Sequence, residues 1–227
     1  MLSSDQSDIA FSINLMSSLC SALAAMLFGW VTMILGKIAI AGKDDEPTTG
    51  QNIALVFAGL ASGLSAAFIT STWFSAVEGE VYAMSTFFTA LTVWAAVKWY
   101  HLPDDSQNDR WLMFSIFAAA LSIGVHLLSL LAFPAIAMLY YYKKYSKRTT
   151  IGVLSSIVIG GILIGVIMKF IIAGTPNLWK SMELFCVNSL GLPINYGIIS
   201  TILIIGGILY LLFRFAKTRN SQLLQNI

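Results

Sequence analysis

Charge is what this sequence has least of. Only 11% of its 227 residues are Asp, Glu, Lys or Arg, less than half of the roughly 25% found in soluble domains. So few charges cannot cover a water-facing surface, which excludes a soluble globule and a disordered chain. Charge of one sign is lacking too. Thirteen basic against 11 acidic residues leave a net charge of +2, too little to hold a polyanion, so nucleic acid is excluded as a partner. Cysteine is nearly absent. Cys20 falls in an apolar run and Cys186 in a polar connection, which is no disulfide framework and leaves the redox compartment open. The two histidines, His101 and His126, fall on opposite sides of the membrane in the topology that the basic residues favour, so no metal cluster of credible spacing exists. No Gly-rich phosphate loop follows a strand, and no internal repeat or low-complexity tract stands out. No cofactor is implied. The start, Met1-Leu-Ser-Ser-Asp-Gln-Ser-Asp8, has no positive region ahead of an apolar stretch and is no signal peptide. It reads like a loop entering a helix.

What is abundant is apolar. Hydrophobic residues make up 57% of the chain and the mean hydropathy is +0.79, the composition of an integral membrane protein. Crossing a bilayer core of about 30 Å takes about 20 apolar residues as a helix, and irregular backbone cannot face lipid. The apolar runs therefore predict an all-α polytopic membrane bundle, read as one transmembrane domain over 1–227. Its helices are expected at 9–36, 53–73, 81–100, 111–124, 127–142, 151–173 and 198–215.

The run from Trp111 to Tyr142 has two readings. As one helix its 32 residues would reach about 48 Å, well beyond the bilayer core. It also holds Gly124, His126 and Pro134, so it can instead be two short helices meeting near Gly124 to His126. Cytoplasmic loops carry an excess of Lys and Arg. With a hairpin, Lys37, Lys43, Lys98, Arg110, Lys143, Lys144, Lys147, Arg148, Arg214, Lys217 and Arg219 are all inside, 11 of 13 basic residues. With a single helix the first half of the chain flips, and 7 lie inside against 6 outside. The charge distribution favours the hairpin, although each half is too short to span. Its tip then lies below the surface, where non-helical backbone persists only if it is buried in protein or lines a wet cavity. The outer acids are Asp5, Asp8, Glu78, Glu80 and Glu183. The acids at 44–46 and 104–109 lie inside beside basic residues, as a solvated loop would have them.

The segment Trp73-Phe-Ser-Ala-Val-Glu-Gly-Glu-Val-Tyr82 puts two carboxylates at the mouth of a membrane helix, where acids are expensive. On a helix Glu78 and Glu80 lie about 200° apart, and Glu78 shares a face with Tyr82 and Ser85. If the chain is still extended at Gly79, both carboxylates point the same way. They are candidates for a general base, or for binding a cation or a sugar hydroxyl. The structural alternative is a pair of acids favouring the positive end of a helix dipole. His126 is the histidine inside an apolar run. Ser115, Ser122, His126 and Ser129 are spaced 7, 4 and 3, which predicts one polar helical stripe. The hairpin puts His126 on the side of Glu78 and Glu80, as a site residue or a packing residue. Gly59-x-x-x-Gly63 and Gly161-x-x-x-Gly165 read as close helix packing. Trp73, Trp99, Tyr100, Trp111 and Tyr140 to Tyr142 sit at expected interfaces. Trp179, Met182, Phe185 and Leu190 suggest a short amphipathic helix on the membrane surface, or a roof over a cavity.

Three segments carry a family resemblance. Phe11-Ser-Ile-Asn-Leu-Met-Ser-Ser-Leu19, Trp73-Phe-Ser-Ala-Val-Glu-Gly-Glu-Val-Tyr-Ala-Met-Ser85 and Leu121-Ser-Ile-Gly-Val-His-Leu-Leu128 resemble a family of bacterial multi-spanning membrane proteins known as domain of unknown function 2723. The family is typical of Bacteroidetes and includes an animal protein O-mannosyltransferase. The match covers most of residues 9–148 and is diffuse beyond 150. It implies a C-type glycosyltransferase. Such enzymes move a sugar from a polyprenyl-phosphate carrier to a protein or glycan acceptor on the outer face, here of a bacterial inner membrane. In that reading Glu78 and Glu80 are candidate catalytic residues contacting the sugar or the acceptor, with His126, Tyr82 and Trp73 binding substrate, while C-type transferases usually place their catalytic acid in a first outer loop that is expected to precede this sequence. Family members also begin with a further helix and an outer loop bearing an acidic motif, Trp-Asp-Cys-Gly-Glu-Phe or similar. Asp5 and Asp8 do not match it, so the chain is expected to be an internal piece of a longer protein. Two other classes stand beside this reading. A small transporter would show paired interrupted helices in two halves, and one such segment is visible. A structural membrane subunit would tolerate change at Glu78, Glu80 and His126.

Overall fold

The computed structural model describes residues 6–218. Asp5 and Arg219, expected among the outer acids and inner bases, lie outside the described residues. Every regular element among the described residues is helical. Among the described residues, five stretches are long and apolar enough to cross a membrane: Asp8–Ile40, Thr49–Phe68, Val81–His101, Thr150–Asn188 and Tyr196–Phe215. The chain is a multi-pass, all-α membrane protein. Contacts divide it into two units, Met1–Ile157 and Val158–Ile227.

In the first unit, α1 (Gln6–Ile40) has 35 residues, about 52 Å of helix. Gly42 turns the chain after it with φ at 89°, a conformation open to glycine at no steric cost. Thr48 then starts α2 (Thr49–Phe68) with a capping box: its hydroxyl accepts the Gln51 N–H at 3.4 Å, and the Gln51 side chain accepts the Thr48 N–H at 2.8 Å. The expected second run breaks at Ile69, whose ψ is 140°. A separate short helix, α3 (Thr70–Val77), begins there. α4 (Val81–His101) lies at the centre of the unit, against α1, α5 and α6. Ala24, Leu27, Ala90, Trp94 and Ala95 form the core, enclosed by Val31, Ile34 and Trp111. Alanines at this crossing let the backbones approach closely, as lipid-immersed helices require. α2 reaches α1 in the same way. A Cβ on Gly29 would lie 2.7 Å from the Gly59 carbonyl oxygen, and one on Gly63 would lie 3.1 Å from that of Ala25.

The run 111–142 is a hairpin. α5 (Asp109–Ile123) ends on Gly124, a 3-10 turn covers Leu127–Leu131, and α6 (Ala132–Lys144) returns. The helices have 15 and 13 residues, about 22 and 20 Å, too short to span. Pro134 sits in the first turn of α6, where its missing N–H leaves no bond unmade. The foot of the hairpin is locked to the end of α4. Lys143 Nζ donates to the carbonyls of Trp99, Leu102 and Pro103 and lies 4.3 Å from the Trp99 ring centroid. Trp99 is wholly buried. Its indole N–H donates to Asp109 Oδ1 at 3.0 Å, and Lys144 pairs with Asp104. Lys37 pairs with Glu46, Lys43 lies over Tyr100, and Lys98 lies over Trp111. The basic residues of this unit thus collect at one end, with their acidic partners.

The polar stripe expected on one helix is divided. Ser115 and Ser122 are on α5, whereas His126 is extended (φ −158°, ψ 137°) and Ser129 lies in the 3-10 turn. The three serines are still buried. Ser115 donates to the Thr92 carbonyl at 2.8 Å, and Ser129 to the His126 carbonyl at 3.0 Å.

In the second unit the helix does not stop at Ala173. α7 (Thr150–Val166) passes through a π-helical turn, Ile167–Ile172, into α8 (Gly174–Asn188). Trp179, Met182 and Phe185 therefore lie on a continuation of the long helix rather than on a separate surface helix. Cys186 is not in a polar connection. It is buried on α8, with Sγ 3.5 Å from Ser200 Oγ of α9 (Tyr196–Thr218). Glu183 caps α9: its two oxygens accept the Asn195 and Gly197 N–H groups at 2.6 and 2.9 Å, satisfying amides that a helix start leaves open. Gly161 and Gly165, expected to pack, have open space around them.

Candidate functional site

The residues singled out from sequence gather at the end of the first unit opposite its basic residues. α3 stops at Val77, and Glu78, Gly79 and Glu80 form a non-helical link to α4. Glu78 (φ −101°, ψ 135°) and Glu80 (φ −109°, ψ 167°) are both extended. The helical arrangement open from sequence is therefore absent, and Gly79 between the two glutamates is not extended either. The link is a tight turn closed by the Glu80 N–H donating to the Glu78 carbonyl at 2.8 Å. A Cβ on Gly79 would lie 2.6 Å from Ile13 Cγ2 and 3.5 Å from Asn14 Oδ1. Glycine is what lets the turn rest against α1. Both glutamates are exposed, and among the described residues neither carboxylate has a hydrogen-bond or ion-pair partner. Glu80 begins α4 without bonding its amides.

One turn further, Tyr82 meets the hairpin tip. Its ring centroid is 5.6 Å from that of His126, with the planes inclined by 48°. Tyr82 is exposed and His126 half-buried. The imidazole also shapes the tip, because Nδ1 accepts the Leu128 N–H at 3.1 Å and caps the 3-10 turn. An accepting Nδ1 carries no proton, so the ring hydrogen sits on Nε2. That N–H is left to act as a donor.

Trp73 stands apart. It stacks on Phe68 with centroids 6.2 Å apart, and no ring contact joins it to Tyr82 or His126 among the described residues. With Ser18, Ser21, Thr72 and Val77 it lines a groove of about 330 Å³ between α1 and α3. Sequence reasoning overlooked the α1 side of this end. Asn14, Ser18 and Ser21 follow i, i+4, i+7 spacing in an apolar helix, a polar stripe visible in advance. Ser18 Oγ lies 2.7 Å from the Ala76 carbonyl oxygen and 2.9 Å from that of Asn14, which ties α3 to α1.

The site thus combines two exposed carboxylates without a partner among the described residues, a phenol and an imidazole N–H at one end of a membrane bundle. Such groups can accept hydrogen bonds from a polyhydroxylated ligand and exchange a proton with it. No curated protein and no solved structure matches the chain. One family model does, over residues 1–149, which is the part that builds the first unit up to the start of α7. By that match, the chain belongs to the family of the protein O-mannosyl-transferase TMEM260 N-terminal domain.

Proposed function

We propose that this chain is a membrane domain of a C-type glycosyltransferase, which transfers a sugar from a polyprenyl-phosphate carrier to a hydroxyl of a protein or glycan on the outer face of a bacterial inner membrane. The observation that carries the reading is the Glu78–Glu80 turn. It holds two exposed carboxylates beside the Tyr82–His126 pair, in a chain of the O-mannosyl-transferase family. Acids at a membrane helix mouth are costly, and among the described residues these have no structural partner that would account for them.

In the proposed reaction an acceptor oxygen bonds to the anomeric carbon as the bond from that carbon to the carrier phosphate breaks. The electron pair leaves with the phosphate, and the hydroxyl proton passes to a carboxylate. Glu78 or Glu80 binds the sugar or the acceptor hydroxyl and takes up that proton. The His126 Nε2–H faces the carrier phosphate, and Tyr82 and Trp73 offer aromatic surfaces to the sugar.

The test is sugar transfer by the full-length protein in proteoliposomes with a polyprenyl-phosphate sugar and an acceptor peptide. Glu78→Gln or Glu80→Gln is expected to lower transfer by at least the roughly 100-fold typical of a lost general base, with membrane insertion unchanged. Wild-type transfer by both single variants would return the pair to helix-dipole acids.

A further inference from the structure

We propose that the loop between α6 and α7 binds the headgroup of an anionic phospholipid, independently of the sugar-transfer reading. Depth is the first observation. α4 has 21 residues, about 32 Å of helix and so one crossing of the bilayer core. Its last turn marks an edge of the hydrocarbon. Lys143 Nζ reaches the Leu102 carbonyl at 3.1 Å, which sets the end of α6 level with that edge. The loop that follows, 145–149, is folded back rather than raised into water. Tyr141, in the last turn of α6, accepts the Thr149 N–H on its phenol oxygen at 3.1 Å and donates to the Lys147 carbonyl at 3.3 Å. A Cβ on Gly152 would run into the Tyr141 ring, so glycine there is what admits this strap. A loop strapped to the last turn of α6 stays within the headgroup layer, which is about 5–7 Å deep.

Charge is the second observation. Lys37 pairs with Glu46 and Lys144 with Asp104, and Lys143 is bonded to backbone carbonyls. Lys147 and Arg148 differ from these. Both are exposed, and among the described residues neither has an acidic partner. Arg148 lies 5.4 Å from the Tyr142 ring centroid, a contact that orients the guanidinium without using its N–H groups. Adjacent cations on a strapped loop at headgroup depth meet phosphate oxygens, which Arg binds through paired N–H groups and Lys as a point charge. Their two surplus positive charges select a lipid of net negative charge, because a choline or ethanolamine headgroup brings a cation of its own. The short reach of the loop favours a lipid over a soluble anion.

Native mass spectrometry tests the assignment, with the full-length protein released from nanodiscs of mixed phosphatidylglycerol and phosphatidylcholine. The expected result is preferential retention of phosphatidylglycerol. A cation near a membrane surface contributes about fivefold to binding an anionic lipid. Lys147→Ser combined with Arg148→Ser should therefore lower the preference roughly 25-fold. Tyr141→Phe keeps both charges but loses the strap, and an intermediate loss is expected. Lys37→Gln removes a cation that is paired with Glu46 and should leave the preference unchanged. If the double variant does not insert, Arg148→Ser alone decides, with a loss of about fivefold expected. Equal retention of the two lipids by the parent protein would overturn the proposal. So would a loss in Lys37→Gln as large as in the double variant, which would make the effect one of overall charge. Displacement of the lipid by inorganic phosphate would reassign the loop to a soluble anion.

Discussion

Glu183 and Glu80 show why a carboxylate at a helix start is not enough to identify a site. Glu183 bonds two amides of α9 and is explained by them. Glu80 precedes α4 and bonds none of its amides. His126 has both kinds of role at once. Its Nδ1 caps the 3-10 turn while its ring meets Tyr82, so an alanine test mixes folding with chemistry. His126→Asn separates them, because Asn is a good cap acceptor. We expect His126→Ala to cost about 1 kcal/mol of stability and His126→Asn to cost little, measured by thermal unfolding in detergent. Both should weaken carrier binding more than acceptor binding, and His126→Lys should recover part of the loss. Wild-type carrier affinity in His126→Asn would leave His126 as a cap alone. At the opposite end, burial lowers the Lys143 ammonium to a pKa of about 8, with the charges of Lys43 and Lys144 adding to the effect and Asp104 and Asp109 opposing it. The native state therefore releases this proton before the unfolded chain does. Between about pH 8 and the ordinary lysine value the unfolded state binds more protons, so stability rises with pH through that window. The expected outcome is a melting temperature that climbs from about pH 7.5 to about 9.5 in the parent relative to Lys143→Met. At about pH 7 that variant should be less stable by about 1–3 kcal/mol, because it loses charged hydrogen bonds to three carbonyls. Parallel pH profiles would refute it.

Among the elements, α3 and the hairpin do most to position the site. Neither spans a bilayer: α3 has 8 residues, and α5 and α6 have 15 and 13. α3 is held at its C-terminal end, by Ser18 of α1 on the Ala76 carbonyl and by the Gly79 contact to Ile13, and the hairpin is held at both ends, by its lysine foot and its His126 tip. The Gly79 contact is the most sensitive of these. In Gly79→Val a branched side chain would meet Ile13, so the turn must lift off α1. We expect transfer to fall at least tenfold with insertion unchanged, and Ile13→Ala to restore part of it by removing the obstructing methyls. The reason is steric, so failure of Ile13→Ala to rescue would place the defect elsewhere.

For the whole molecule the decisive quantity is the distribution of basic residues. The hairpin puts Arg110 and Lys143 at one end of the first unit, where a single long helix would have put them at opposite ends. Ser106 and Ser146, both exposed, should therefore react from the same side when replaced by cysteine. By the positive-inside rule that side is expected to be cytoplasmic. Labelling of Ser106→Cys in intact cells by an impermeant maleimide would overturn this orientation.

Composition and the lengths of the apolar runs were enough to expect an all-α membrane protein, because runs of about 20 apolar residues suit spanning helices, which satisfy their own backbone in lipid. The relation to protein O-mannosyltransferases was legible as well, in segments that fall within the matched residues 1–149. Charge counting, Gly124 and His126 were enough to expect the hairpin. Tertiary structure decided the rest. Whether Glu78 and Glu80 lie on a helix depends on Gly79 meeting Ile13, a contact 66 residues away in sequence. Which glycine pairs pack depends on a partner helix, so Gly59 and Gly63 find α1 while Gly161 and Gly165 find open space. The helix expected at 151–173 was ended too early because the stretch after it reads as a polar connection, yet a π turn carries the helix on to Asn188. A pattern along one chain records what each segment prefers. It does not record which surface another segment brings against it, and the site is made of those surfaces.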